Sequence, residues 1–445
     1  MEVAVIPFPP VPAALDADAA HFDDLFTRPS QRQAFRQYLA GLLLPAERTK
    51  TLTALAHPES VGGAQAPSAQ RLPWFLSESL WDAAAVTARR LAMLRADPAT
   101  APHAGGVLIV DESGDRKDGE KTAHVGRQYL GNRGKSDNGV VSVGSLWADE
   151  SVYYPLAVEP YTPERWFAGG KTEPAFRTKP QIALELVAHA LAAQWPLRAV
   201  VADGLYGEHH GFTHGLEQCE VPYVVARKPS HAWWAPVAAS GAVWEVAAAS
   251  GWVSAEQPGD WVPVERTFRD GHTQTWWALE GRVGPYGPDR SRRLVIATPD
   301  PATLPEAATW YLATTLPRAE ADLAEIVRLS GLRHWVEQHY KQIKQSLGWS
   351  QYQVRSDRAI RRHWALVQGA FACWWWAETR IPLAPPPAAA REAPGEEPGE
   401  KVAGADDVVL ASGVALLARL ERPAPTAPAP GAAGLAARRP PPPPL

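Results

Sequence analysis

Two aspartates follow short apolar runs in this chain and have the character of catalytic or metal-binding carboxylates. Asp111 comes directly after residues 107–110, and Asp203 comes directly after residues 199–202. Such short apolar runs, rich in β-branched side chains, predict buried strands, and α/β sheets carry their chemistry at the carboxyl edge of such strands. The repeated pattern therefore predicts one site shared by both acids. The alternative is two turn-forming aspartates, which are common at strand ends.

A third acid, Glu337, lies among basic residues with the spacing of one helical face. Arg333 precedes it by four residues, and Lys341 and Lys344 follow it by four and seven, so all four side chains are expected on one side of a helix. Ion pairing worth about 0.2–0.5 kcal/mol per pair explains the Glu337–Lys341 pair. It does not explain the basic and aromatic residues around that helix, which suit phosphate contacts and base stacking. These residues are Trp335, Tyr340, Trp349, Tyr352, Arg355, Arg358, Arg361 and Arg362.

Three carboxylates, two on strands and one on a helix, predict a site for two Mg²⁺ ions. Magnesium prefers hard oxygen ligands and is commonly held by a few carboxylates together with substrate phosphate. Two such ions roughly 3.5–4 Å apart can activate the attacking oxygen and stabilise the leaving oxygen of an in-line phosphoryl displacement. We therefore expect Asp111, Asp203 and Glu337 to act on a phosphodiester, and no His or Cys cluster in the sequence competes for a transition metal.

The predicted elements around these acids are those of a mixed α/β sheet flanked by helices. A polar turn is expected at residues 114–121, and a helix capped by Thr178 returns the chain to the Asp203 strand. The other predicted strands lie near residues 126–130, 140–143, 152–158 and 310–315. One helical stretch starts near Glu320 and carries Glu337. The last helix, residues 359–378, is apolar nearly all round and is therefore expected to be buried.

Five parts are predicted along the chain. They are an N-terminal helical part at 1–100 with a loosely ordered start at 1–28, a first sheet part at 101–230, a β-rich insertion at 231–305, a second sheet part at 306–381 with the third acid, and a largely disordered tail at 382–445 rich in proline and alanine. The insertion contains many tryptophans. Stacking on a flipped base is one use for them, and core packing is the commoner one.

Composition places limits on partners and location. The net charge of −4 provides no global basic field, so a nucleic-acid surface must be a local patch. The two cysteines show no pairing pattern, which fits a reducing cytosol. The N-terminus lacks the features of a signal peptide, and no apolar run approaches the roughly 20 residues of a membrane span. We therefore expect a cytoplasmic protein without a membrane partner.

Several motifs of the chain resemble the DDE transposases of bacterial insertion sequences, whose catalytic domain has the RNase H-like fold. The matching segments are residues 110–114, 127–129 with 134–135 and 137–138, 202–204 with 206–207, the N-terminal segments 38–43 and 80–82, and the helix around Glu337. One branch of the family carries a Tyr-Arg-Glu-Lys signature. Arg333, Glu337 and Lys344 match its spacing, and Ser330 stands where the signature has Tyr. The resemblance runs from about residue 29 to residue 380.

The resemblance implies roles for individual residues. Asp111, Asp203 and Glu337 would be the metal-binding triad for two Mg²⁺ ions, with Mn²⁺ as a possible substitute. Arg333 and Lys344 would hold DNA phosphates near the cut. The predicted DNA-binding residues are Arg333, Lys341, Lys344, Arg127, Lys135 and Arg355. The N-terminal helices would bind DNA ends, and the insertion would help to manage the DNA end.

The function implied is that of a nucleoid-associated DNA transposase. It would bind terminal inverted repeats of its element, cleave phosphodiester bonds by two-metal-ion catalysis and join the 3′-hydroxyl ends to target DNA, as a homodimer in the DNA complex. Two alternatives stay open at this point. One is an RNase H-like metal-dependent nuclease without strand transfer. The other is a domesticated, non-catalytic DNA-binding protein, against which the three intact acids argue.

Overall fold

The computed structural model describes most of the chain between residues 13 and 380. The described ranges are 13–43, 49–56, 67–229, 233–234, 240–241, 243–268, 272–283 and 292–380. The predicted disorder of the tail at 382–445 lies outside the described residues. Of the start predicted to be loosely ordered, residues 1–12 also lie outside them, whereas residues 13–20 form a helix.

The helices flank a sheet on both faces and cluster at the N-terminal and C-terminal ends of the described chain. In chain order they are α1 (Ala13–Ala20), α2 (Pro29–Leu43), α3 (Leu52–Ala56), α4 (Pro67–Ser77), α5 (Ala83–Ala96), α6 (Lys179–Ala192), α7 (Gly204–Gly207), α8 (His210–Gln218), α9 (Val243–Ala249), α10 (Leu323–Gly331), α11 (His334–Gln345) and α12 (Asp357–Arg380). Among these described helices, none has the length and apolar character needed to cross a membrane.

The strands that the structure describes join into a single sheet. They are β1 (Val107–Arg116), β2 (Gly126–Leu130), β3 (Lys135–Ala148), β4 (Tyr153–Tyr161), β5 (Ala199–Ala202), β6 (Tyr223–Ala226), β7 (Trp233–Trp234), β8 (Ser240–Gly241), β9 (Val262–Thr267), β10 (Thr273–Val283), β11 (Arg293–Thr298) and β12 (Trp310–Thr314).

β1 is a central strand of this sheet and connects its antiparallel and parallel parts. It pairs antiparallel with β3 and parallel with β5. β4 completes the antiparallel meander by pairing with β3, and β6 continues the parallel part by pairing with β5. α6, which begins with a Thr178–Gln181 capping box, connects β4 to β5 and packs on the sheet. The arrangement confirms the predicted RNase H-like mixed sheet flanked by helices.

The β-rich segment between the second and third acids extends this sheet. β12 pairs with β6, and β11, β10 and β9 follow one another beyond β12. Trp261 and Trp276 are buried in the packing of this segment, and Trp252 packs edge-on against Trp277. Core packing, the commoner of the two predicted roles, is therefore what these four tryptophans do here.

The strand that carries Asp111 is longer than the sequence predicts. The apolar run ends at Val110, and the Gly-rich segment from Gly114 was expected to be a turn. The structure continues β1 to Arg116, because Glu112 to Arg116 pair with Val143 to Gly139 of the long strand β3. Asp111 therefore lies inside a strand. The parallel strand β5 ends at Ala202, the partner of Val110. Asp111 therefore still lies at the carboxyl edge of the parallel part of the sheet.

The helical stretch that carries the third acid is divided into two helices, contrary to the prediction of one stretch. α10 ends at Gly331, and α11 begins at His334 with Arg333 as its N-terminal flanking residue. The break allows the two helices to pack in different directions, α10 on the extended part of the sheet and α11 beside β1 and β4. The predicted common face of Arg333, Glu337 and Lys341 survives because Arg333 keeps a helical backbone conformation.

α12 is buried as predicted and joins the N-terminal helices to the sheet. Trp364, Phe371 and Trp376 of α12 are at most 2% exposed, and the helix packs against α2, α4 and α5. Arg90 of α5 is fully buried and donates to the Pro155 and Leu156 carbonyls of β4. The N-terminal helices thus share one core with the sheet.

His363 of α12 makes this junction sensitive to pH. Its Nε2 faces the Trp349 carbonyl at 3.2 Å, and its Nδ1 faces the Tyr38 hydroxyl at 2.8 Å. A carbonyl only accepts, so Nε2 carries the proton and Nδ1 accepts from Tyr38. Burial lowers the pKa of His363 to about 3, and the nearby charge of Lys117 acts in the same direction. The Tyr352 ring packs beside it. The folded protein therefore holds a neutral imidazole.

We expect His363 to contribute stability above its unfolded pKa of about 6.5 and to lose that contribution as the pH falls. Below pH 6.5 the unfolded chain takes up a proton that the folded chain does not. The free energy of unfolding therefore falls by about 1.4 kcal/mol for each pH unit. Between pH 7.5 and 5.5, the difference in unfolding free energy between the parent and His363→Gln should shrink by about 1.4 kcal/mol. Urea denaturation at both pH values measures it, with exposed His214→Gln as the control. A difference that stays constant with pH would contradict the prediction.

Candidate active site

Asp111 and Asp203 lie side by side because their strands are paired in parallel. Val110 of β1 is the partner of Ala202 of β5, so the residues that follow them emerge about 4.8 Å apart, the spacing of neighbouring strands. The predicted shared site of the two aspartates is thus reproduced by the strand register. The partner of Asp111 on its other side is Gly144 of β3.

Backbone amides orient both carboxylates. Asp203 caps the short helix α7, and its Oδ1 accepts from the amides of Leu205 and Tyr206 at 3.0 and 3.4 Å. Asp111 Oδ1 accepts from the Glu112 amide at 2.7 Å. All three amides donate to Oδ1. They leave Oδ2 of each carboxylate for other partners.

The electrostatics of the pair favour a cation. Burial raises the pKa of the Asp111 carboxyl to about 7, and the like charge of Asp203 contributes in the same direction. The Arg333 guanidinium partly offsets this by lowering the pKa. A buried carboxyl with a raised pKa beside a second carboxylate is a place where a nearby positive charge stabilises the ionised form.

α11 is held against the sheet directly beside Asp111. The Tyr340 hydroxyl donates to the Asp111 carbonyl at 3.3 Å. A side chain at Gly144 would place its Cβ only 2.7 Å from that hydroxyl, so glycine is needed for the approach. The start of the same helix is fixed by Trp335, whose ring stacks on Tyr153 at 4.4 Å. The buried face of α11 thereby leaves Glu337 and Lys341 on the exposed side.

Arg333 connects the third acid to the first. Its guanidinium lies 3.8 Å from Asp111 Oδ2 and donates to Glu337 Oε1 at 2.5 Å. The side chain of Glu337 is 59% exposed, whereas that of Asp111 is only 14% exposed. The Arg333 guanidinium thus lies between the carboxylates of Asp111 and Glu337.

The donor set fits a hard divalent cation, although the three acids are not drawn together around one. Among the residues that the structure describes, no three His, Cys, Asp or Glu side chains converge as a metal cluster. Asp111 and Asp203 supply adjacent carboxylate oxygens on rigid strand ends, and carboxylate oxygens are the ligands that Mg²⁺ prefers. Glu337 lies on α11, the helix that packs beside Asp111, and Arg333 links it to Asp111.

Lys344, predicted to hold a DNA phosphate, has an intramolecular partner. Its Nζ lies 2.8 Å from Asp115 Oδ1 and donates to the Gly114 carbonyl at 2.9 Å. Asp115 is 3% exposed, so Lys344 compensates a buried charge in this structure. Ser330, which stands where the signature has Tyr, lies in the last turn of α10.

The other four predicted DNA-binding residues are placed as follows. Lys341 and Arg355 are exposed, Lys341 on the Glu337 face of α11 and Arg355 in the segment between α11 and α12. Arg127 is exposed on β2. Lys135 is exposed at the start of β3. It lies three residues before Asn138, the partner of Arg127, so Lys135 and Arg127 lie on opposite faces of the sheet. The structure brings only Arg333 into contact with the acids.

A contact network beside the site was missed by the sequence reasoning. Glu112, the residue after Asp111, pairs with Lys179 of α6 at 2.7 Å and accepts from the Tyr206 hydroxyl at 3.2 Å. Burial holds the pKa of Tyr206 well above its usual range, so the hydroxyl remains a donor. The network ties α7, which follows Asp203, to the strand of Asp111. Its sequence signals were the acid next to Asp111 and the Tyr three residues after Asp203.

Comparisons with known proteins show to which family the chain is similar. Residues 21–251 match a family described as DDE superfamily endonuclease, a segment that includes both aspartates and ends before Glu337. Over 350 residues the chain is 31% identical to the probable transposase for insertion sequence element IS701 from Microchaete diplosiphon. That alignment covers 78% of this chain and 83% of the relative.

Proposed function

The chain belongs to the DDE superfamily endonucleases and is a transposase of an insertion sequence, and from this we propose that it cuts and joins DNA at the ends of its own element. It binds the terminal inverted repeats, hydrolyses a phosphodiester bond there and joins the freed 3′-hydroxyl to target DNA. The observation that carries the proposal is the adjacency of Asp111 and Asp203 at the paired strands β1 and β5, with Glu337 linked to them through Arg333.

The three acids would hold two Mg²⁺ ions, with Mn²⁺ as a substitute. When bound, such ions supply Lewis-acid polarisation of the phosphate and a water molecule of lowered pKa. The chain's own contribution is positional. The strand pairing holds Asp111 and Asp203 at a fixed separation, and the amides of α7 fix the Asp203 carboxylate by hydrogen bonds to its Oδ1. The Tyr340–Asp111 contact keeps α11 beside them.

Arg333 has two roles in this proposal. Before the site is loaded, it neutralises the Asp111 and Glu337 carboxylates, as its distances of 3.8 and 2.5 Å indicate. Cations held by those carboxylates would replace the guanidinium as their partner, and Arg333 would then be free for a DNA phosphate, for which its planar fork of donors is well suited. Loading of the site and gripping of the scissile strand are thereby coupled through a single side chain.

DNA is the partner of a transposase, and we propose where this chain holds it. Lys341 and Arg355 are exposed cations near α11, and they would contact phosphates beside the cut together with Arg333. Lys344 would support that face by neutralising Asp115, and it would reach DNA only if that pair opened. Two protomers would hold two element ends, and the protein would act on the nucleoid in the cytoplasm.

A cleavage and joining assay with the full-length protein tests the function. The substrate is a labelled duplex that carries the terminal repeat found beside the gene, mixed with supercoiled target plasmid. We expect Mg²⁺ to yield a free 3′-hydroxyl at the repeat and then label joined to plasmid. EDTA should abolish both products, and Mn²⁺ should restore them. The distribution of label on a denaturing gel and on an agarose gel measures the two steps.

The same assay separates the proposal from its alternatives. Cutting without label in the plasmid, under conditions where target DNA is in excess, would favour the nuclease without strand transfer. Specific binding of the repeat without any cutting in Mg²⁺ or Mn²⁺ would favour the non-catalytic DNA-binding protein. Either result contradicts the proposal.

A further inference from the structure

An exposed aromatic residue and an exposed arginine project from the same face of β2. Tyr129 is 56% exposed, and Arg127 is exposed two residues before it. Within the described part of the chain, Arg127 forms no ion pair with an acidic side chain. We call Arg127 and Tyr129 the β2 stripe. The exposed ring and the exposed guanidinium are both available to a ligand at this edge of the sheet.

The strand registers place the β2 stripe on the same face of the sheet as Asp111. Directly opposed residues of an antiparallel pair share a face, and so do alternate residues along one strand. Asp111 is opposite Gly144 of β3. Counting along β3 in steps of two from Gly144 reaches Asn138 and Ser136, which are the partners of Arg127 and Tyr129. The acid and the stripe therefore lie on the same side of the sheet, and α11 covers the part of that face between them, where Ser142, Val140 and Asp115 are buried.

The length of sheet between the acid and the stripe sets the shortest path for a DNA strand held at the active site. Gly144 is six residues from Asn138 and eight from Ser136, which corresponds to about 20 and 27 Å along the strand. At about 3.4 Å per nucleotide step of a DNA strand, the stripe is reached at least about six to eight nucleotides from the cut, because the strand must pass over α11. The face between them has its one acid, Asp115, buried and paired with Lys344.

The chemistry of the stripe favours an unpaired strand over a duplex. The bases of a duplex are stacked on one another and present only their edges in the grooves. The Tyr129 ring therefore finds no base face on which to stack in a duplex. An unpaired base does offer its face, and stacking on an aromatic side chain is how non-specific sites hold single strands. The partners of the stripe on β3, Asn138 and Ser136, are uncharged, so a phosphate can approach Arg127.

We propose that the β2 stripe binds unpaired nucleotides of the DNA strand that leads away from the cut, with Tyr129 stacked on a base and Arg127 paired with a phosphate. The inference rests on the proposed function, because it takes the DNA cut at Asp111 as its starting point. It adds a substrate preference. An element end with unpaired nucleotides in the strand that leads away from the cut binds more tightly than a fully paired end.

The test compares two forms of one labelled duplex with the full-length protein. One form is fully paired, and the other has ten unpaired nucleotides beyond the cut on one strand. Fluorescence anisotropy without divalent metal should show tighter binding of the unpaired form by the parent. Tyr129→Ala should weaken binding of the unpaired form by about fivefold to a hundredfold, the range for loss of one aromatic side chain that stacks on a base. The preference for the unpaired form should be lost with it. Tyr129→Phe and Tyr129→Trp, which keep a ring, should retain it.

Arg127→Gln serves as the matched comparison from the same strand. It removes a phosphate contact, so we expect weaker binding of both forms and a salt slope reduced by about one. Tyr129→Ala should leave the salt slope unchanged. Circular dichroism verifies that each variant is folded, which the exposure of both side chains favours. Equal effects of the two variants on both forms would overturn the assignment of stacking to Tyr129.

Two further outcomes would also overturn the inference. One is a Tyr129→Ala variant that keeps the parent's preference for the unpaired form within twofold. The other is a change of oligomeric state in sedimentation velocity with equal weakening of both forms, which would make the stripe a contact between copies of the chain. In each case the parent still binds and cuts the paired end. Failure of the proposed function is distinct, because the parent would then fail to cut the paired end in Mg²⁺ or to join it to target DNA.

Discussion

Asp111→Asn, Asp203→Asn and Glu337→Gln are each expected to lower the rate of DNA cleavage by a factor on the order of 10³ or more. Each substitution removes a carboxylate that we propose as a cation ligand while keeping the shape of the side chain. Stabilisation of transition-state charge by bound cations is worth several kcal/mol, and each 1.36 kcal/mol corresponds to a factor of ten in rate. With two ions shared among three acids, no carboxylate is expected to be dispensable.

The three variants are expected to fold. Asn caps helices about as well as Asp, so Asp203→Asn can keep the contacts with the amides of α7. Glu337 is mostly exposed, and its Gln replacement touches no core. Burial and the charge of Asp203 raise the pKa of Asp111, so a neutral amide at that position removes an electrostatic penalty from the folded state. Loss of cleavage in these proteins therefore reports loss of chemistry.

Strand cleavage of a labelled end duplex in Mg²⁺ measures the effect, with thermal melting and DNA binding measured on the same preparations. Asp118→Asn is the matched control, since Asp118 is an acid shortly after β1 whose side chain is 82% exposed and paired with Arg116. It should cut at the parent rate. A triad variant that cuts at nearly the parent rate would show that its residue is not a ligand.

The second large effect concerns the C-terminal end. A chain ended after residue 385 contains every described residue and lacks mainly the segment rich in proline, alanine, glycine and glutamate, which offers little apolar surface against an ordering cost of about 1–2 kcal/mol per residue. We expect it to fold, bind the repeat and cut like the full chain. A chain ended after residue 358 loses nearly all of α12 and should be insoluble.

The reason is the size of the core that α12 supplies. Truncating a single buried Phe or Trp to Ala costs about 3–5 kcal/mol, and a typical native protein has only about 5–15 kcal/mol in total. α12 contributes Trp364, Phe371 and Trp376, each at most 2% exposed, together with the hydrogen bonds of His363. The N-terminal helices would lose the surface on which they pack.

The two truncated proteins are compared with the full chain by soluble yield, thermal melting and strand cleavage. Trp364→Ala and Trp374→Ala provide a paired check within α12, because Trp364 is 1% exposed and Trp374 is only partly buried. The first should destabilise the protein more than the second. Loss of cleavage in the longer truncation would mean that the removed segment belongs to the working enzyme.

The sequence alone identified the two strand-borne aspartates, because a buried strand needs a run of apolar residues and the residue after the run is visible as an acid. It also predicted the helical face of Arg333, Glu337 and Lys341, since the spacing of a helix is local. The RNase H-like sheet followed from the order of elements and the resemblance of the motifs. The buried last helix followed from its apolar character on all sides.

What only the tertiary structure decided depends on pairings between distant residues. β1 runs past Asp111 because β3 supplies hydrogen-bond partners for a polar, Gly-rich segment that reads as a turn by itself. Arg333 lies between two acids because α11 docks on Gly144, and Lys344 is engaged because Asp115 is buried beneath it. The β2 stripe shares a face with Asp111 only through two strand registers. Local sequence determines periodicity, whereas register and charge pairing are set by what the fold brings alongside.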